Sequence, residues 1–83
     1  MNYELTQHAK VVLVERRIPL EWMERTLLGP ELVLPDPDDS TVVRRYRRIP
    51  EHGGRVLRVA VNTAVVPQRV VSVFFDRQMK SRL

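Results

Sequence analysis

Arg44-Arg45-Tyr46-Arg47-Arg48 places four guanidinium groups and a phenol within five residues, just before a turn and two strongly apolar segments. Like charges at that density repel one another unless water or an anionic partner screens them, so the run points toward phosphate. Twelve of the fourteen basic residues are arginine, whose planar fork suits bidentate phosphate contact better than a lysine point charge does. Residues 1–40 carry four basic groups against eight acids, 4 − 8 = −4, and residues 41–83 carry ten against two, 10 − 2 = +8. A basic half joined to an acidic half sets up a directed field, with one surface open to an anionic polymer.

Cleavage of RNA through its 2′-hydroxyl needs a base, cations for the crowded phosphorane and an acid for the leaving oxygen. Arg44, Arg45, Arg47, Arg48 and Arg58 can supply the cations. His8 is the candidate base, since the first turn of a helix favours a neutral imidazole. Its competing role is a structural histidine tying the helix start to a strand. Tyr46 could donate a proton or stack on a base, against the plainer role of cross-strand packing. His52 reads as a solvent-exposed loop residue. Arg16 reads as a partner for Glu15, Glu21 or a helix C-terminal carbonyl, and Asp76 as a group that orients Arg58 or Arg77. No Gly-x-Gly or P-loop pattern occurs, cysteine is absent, and the carboxylates of 35–40 lack the spacing of a calcium loop. No metal or cofactor is therefore expected.

The elements that must position these groups follow from periodicity. Thr6 is an N-cap, and Ala9, Val12 and Leu13 mark the buried stripe of a helix from Gln7 to about Arg17. Ile18-Pro19-Leu20 breaks and restarts the chain. A second helix turns Trp22, Met23, Thr26 and Leu27 inward and stops at Gly29-Pro30. Glu31–Pro35 is a brief strand candidate and Pro35–Ser40 an acidic loop. Thr41–Ile49, Arg55–Asn62 and Arg69–Asp76 are strands, with Pro50–Gly54 as the first hairpin loop. Alternation puts Leu57, Val59 and Val61 on one face with Val71, Val73 and Phe75, against the helices. The fold class is α+β: two N-terminal helices on a three- to four-stranded antiparallel sheet, in one domain spanning 1–83. The strand 41–49 has arginines on both faces, so two of them must turn toward the helices. An edge or rim position, snorkelling outward, or pairing with Glu15, Glu21 or Glu24 is expected to accommodate them.

The segments Tyr3–Ala9, with its His8-Ala9 pair, and Glu15-Arg16-Arg17-Ile18-Pro19 are followed by Pro30-Glu31, the arginine strand and Arg55-Val56-Leu57-Arg58-Val59-Ala60-Val61. In that order they resemble the bacterial family catalogued as domain of unknown function 4258, over residues 3–77. The family layout is similar to that of RelE, ParE and BrnT toxins, which implies a RelE-like fold and metal-independent RNA cleavage restrained by an antitoxin. Three functions are set side by side: such a ribonuclease, a non-catalytic RNA- or protein-binding module, and a structural protein that forms a homodimer. The expected partners are RNA, an antitoxin or other acidic protein, or a second copy. No run of about 18 apolar residues is present to cross a membrane, and Met1-Asn2-Tyr3-Glu4 lacks the character of a signal peptide. A cytoplasmic bacterial protein is expected.

Overall fold

The computed structural model describes residues 2–83. Seven helices and strands follow in chain order: β1 (Tyr3–Leu5), α1 (Gln7–Glu15), α2 (Leu20–Leu28), β2 (Leu32–Pro35), β3 (Val42–Ile49), β4 (Arg55–Asn62) and β5 (Gln68–Phe75). Short 3-10 turns cover Pro50–His52 and Arg77–Arg82. The fold is α+β, with the helices laid on one face of the sheet as their periodicity requires.

The sheet differs from the expected antiparallel one. It has five strands in the order β1-β5-β4-β3-β2, and β1 runs parallel to β5, which makes it mixed. Tyr3–Leu5 is too short for alternation to reveal it, and its partner lies 65 residues away, Tyr3 opposite Gln68 (68 − 3 = 65). Tyr3 is held by its hydroxyl, which donates to Glu24 Oε2 of α2 at 2.8 Å. Burial first, and then the Glu24 carboxylate, push that phenol up to about 12.

Ala9, Leu13, Ile18, Met23 and Leu27 from the helical layer meet Ile49, Leu57, Val59, Val61, Val70 and Val73 in the main core. Val70 takes the place expected of Val71. A bulge at Ala60/Val61 pairs Val61 with Val70 while Val59 still pairs with Val73. One extra residue on β5 shifts its alternation and leaves Val71 half-buried outside that core.

The other sheet face carries a smaller core of Tyr46, Val56 and Met79, with Leu32, Leu34 and Leu83 against it. Met79 comes from the C-terminal turn. The two cores explain why β3 and β4 carry apolar residues on both faces.

Local chemistry sets the helix ends. Thr6 Oγ1 accepts from the Ala9 amide at 3.1 Å, as its cap role requires. At the other end of α1, Arg17 N donates to Val14 O and Ile18 N to Leu13 O, a Schellman pattern with Arg17 in the left-handed region at φ 52°. Ile18 and Leu13 belong to the same core, the apolar contact that accompanies this motif. The β3–β4 loop closes through Gly53 and Gly54, both at positive φ (66° and 72°), where a Cβ would be strained.

Candidate functional site: a cationic, aromatic-floored cleft

The arginine strand serves the fold. β3 is an inner strand between β4 and β2, and not the edge or rim strand expected. Arg45 and Arg47 face the helices, and their partners are carbonyls rather than Glu15, Glu21 or Glu24. Arg45 Nη1 donates to Leu27 O at 3.1 Å and to Gln68 Oε1 at 3.3 Å, and Arg47 Nη1 donates to Gly29 O. Two cations thus sit on the last carbonyls of α2, at the negative end of its dipole.

On the opposite face Arg44 pairs with Asp36 at 3.1 Å. The Asp38 amide above all, with help from Arg44, holds that carboxyl below the usual carboxylate range. Arg48 donates to Gly54 O, Lys80 O and Leu83 O at 2.8–2.9 Å and so fastens the C-terminal turn under the sheet. All four guanidiniums are committed within the chain.

Of the three candidate catalytic groups, Tyr46 and Arg58 are direct cross-strand partners on β3 and β4, while His8 stands apart on α1. Tyr46 is 2% exposed inside the smaller core, without access to a ligand. Arg58 lies 3.8 Å over the Phe74 ring and pairs with Asp76 at 3.4 Å, the orienting role expected of that aspartate. Its Nε is buried without a partner. His8 is exposed on the first turn of α1, and it is not among the residues around the cleft described next. Among the described residues, no group of three or more His, Cys, Asp or Glu side chains converges as metal ligands would.

A different constellation emerges at the end of the sheet where β4 begins and β5 ends. A cleft of about 580 Å³ is lined by Arg16, Arg17, Arg55, Arg77 and Lys80 around Trp22, His52 and Phe75, with Val56 and Asp76 completing the wall. The aromatic floor is continuous. His52 lies 4.7 Å from Phe75 and 5.5 Å from Trp22, centroid to centroid, and Trp22 meets Phe75 edge-on at 6.3 Å. The formal charge of the lining is five cations less one carboxylate, 5 − 1 = +4. That carboxylate, Asp76, is already shared between Arg58 and the Gln78 amide.

Each wall has its own local cause. Arg16 and Arg17 are displayed by the tight turn that ends α1, and Arg16 makes no bond to Glu15, Glu21 or a helix carbonyl through its side chain. Arg77 and Lys80 are three apart on the C-terminal 3-10 turn, where a three-residue repeat eclipses them on one side. The Asp76 carboxylate caps that turn at Gln78 N. His52 is positioned by its neighbour: Glu51 receives both Nη1 and Nη2 of Arg25 at 2.9 and 2.7 Å, which clamps the hairpin loop to α2. Arg25 chiefly, by hydrogen bond, draws the Glu51 carboxyl down to about 2.

Six basic side chains have no ion pair and donate no hydrogen bond among the described residues: Lys10, Arg16, Arg17, Arg55, Arg77 and Lys80. Five of the six line this one cleft. Free cations beside aromatic ring faces are the two components on which phosphate contact and base stacking draw.

A family profile described as domain of unknown function (DUF4258) matches residues 5–75. The chain belongs to that family. Its matched span includes α1, α2, all of β2 to β5 and the cleft residues Arg16, Arg17, Trp22, His52, Arg55 and Phe75, while Arg77 and Lys80 fall beyond it. No curated protein and no solved structure matches the chain. Among the described residues, no helix is long and apolar enough to cross a membrane.

Proposed function

We propose that this member of the family is a single-stranded RNA-binding module whose site is the cleft at the end of the sheet. One observation carries the reading: five of the six unpaired basic side chains among the described residues are gathered around a half-buried aromatic floor edged by the exposed His52, while the arginines of β3 are consumed by the fold. A base stacked on Trp22, His52 and Phe75 would gain sequence-tolerant stacking, and Arg16, Arg17, Arg55, Arg77 and Lys80 would neutralise its phosphates. RNA binding should weaken as salt rises, with a log–log slope of about −0.7 for each phosphate engaged. Arg55→Ala should make that slope shallower. Binding that is indifferent to salt, or unaltered by Arg55→Ala, would contradict the reading.

A second reading, metal-independent RNA cleavage of the RelE, ParE and BrnT type, is supported by His52 alone. It puts an imidazole among cations, the acid–base group that 2′-hydroxyl attack requires. That activity should persist in excess chelator and disappear in His52→Asn. Intact RNA after long incubation with protein that binds it would leave the module without the enzyme.

A further inference from the structure

Resting on the RNA-binding reading, the geometry points to a narrower ligand: a nucleotide end bearing several linked phosphates, such as the 5′-triphosphate of an RNA or a free nucleoside triphosphate. Three observations lead there.

The first is size. A cavity of about 580 Å³ falls in the small-ligand range of roughly 300–1,000 Å³. It holds a single aromatic platform, made of one tryptophan, one histidine and one phenylalanine in mutual contact. A groove that follows a polynucleotide needs successive platforms and a continuing cationic track.

The second is that no such track leaves the cleft along the neighbouring strand. Arg44, Arg45, Arg47 and Arg48 are tied to Asp36, Leu27 O, Gly29 O and the C-terminal carbonyls. A chain passing through would meet guanidiniums already occupied.

The third is charge. An internal nucleotide brings one negative charge per phosphodiester, against a lining of net 5 − 1 = +4. A terminal triphosphate carries roughly four, since each of the two inner phosphates adds one charge and the last one nearly two. Arg16 and Arg17 on one side and Arg77 and Lys80 on the other can grip such a group from two directions. Arginine forks suit its paired oxygens.

Fluorescence anisotropy with full-length protein in excess chelator separates the outcomes. The probes are two short single-stranded RNAs of one sequence, labelled at the 3′ end, one with a 5′-triphosphate and one with a 5′-hydroxyl. ATP and GTP serve as competitors, and a fluorescently labelled ATP serves as a third probe that reads free-nucleotide binding directly. The triphosphate RNA should bind at least about tenfold more tightly. Arg77→Ala should reduce that preference severalfold, whereas Lys10→Ala, a free cation outside the cleft, should leave it unaltered. Competition by ATP and GTP at equal concentration would assign the site to free nucleotides, and their failure to compete would assign it to RNA ends. Equal binding of the two RNAs would overturn the inference and leave the RNA reading standing. Binding of the free nucleotides with neither RNA bound would overturn the RNA reading and keep the polyphosphate one. No binding of any probe would overturn both.

Discussion

Arg17 occupies a backbone position that most side chains avoid. At φ 52° it serves as the left-handed residue after α1, where glycine is the usual choice because a Cβ crowds the following carbonyl by about 1–2 kcal/mol. Its side chain lines the cleft, so the strain is matched by a ligand-facing cation, the association expected of functional sites. Arg17→Gly should therefore raise stability by up to about 1 kcal/mol in urea denaturation while weakening RNA binding. A variant that is both less stable and equally able to bind would assign Arg17 a structural task instead. His52 teaches a related lesson. As one histidine in a glycine-bearing loop it reads as solvent-exposed, and it is exposed. The sequence carries no sign that its ring meets Trp22 and Phe75, because the three lie in separate elements.

Among the elements, the hairpin loop between β3 and β4 determines the form of the cleft. Glu51 clamps it to Arg25 of α2, with Glu21 as a weaker third partner at 3.2 Å. Because the folded-state value of Glu51 is lowered from 4.5 to about 2, the clamp is at full strength above about 4.5 and is lost as pH falls toward about 2. Trp22 emission should report that loss, with Glu51→Gln removing this part of the acid transition. A wild-type trace identical to that of Glu51→Gln would mean that the clamp does not hold His52 against Trp22. Both partners are partly solvated, so high salt should also weaken it. Much of this layer is legible in the sequence. The Thr6 cap, both helices and four of the strands follow from capping chemistry and periodicity. The remainder is hidden from periodicity for physical reasons. β1 is three residues long and pairs with a strand distant in sequence. The bulge on β5 exchanges Val71 for Val70, since a one-residue slip turns over the side chains that precede it while Val73 keeps its face.

At the scale of the whole molecule, cations are divided between two tasks. Alternation correctly forces arginines onto both faces of β3, but cannot say that backbone carbonyls will receive them, because the end of α2 becomes an acceptor only once the fold brings it there. The cleft was illegible for the converse reason. Arg17, Arg55 and Lys80 look like ordinary solvated charges, Arg16 reads as a structural partner and Arg77 as a group for Asp76 to orient, and two of the five come from the half with net charge −4. Family membership across residues 5–75 assigns no role to either set. The most direct test compares two double variants by urea denaturation and RNA affinity together. Arg45→Ala/Arg47→Ala should lose about 2–4 kcal/mol of stability while its folded fraction binds RNA as the parent does. Arg55→Ala/Arg77→Ala should keep its stability within about 0.5 kcal/mol and bind RNA at least about tenfold more weakly. A strand variant of unchanged stability with lost affinity, beside a cleft variant that still binds, would contradict the account.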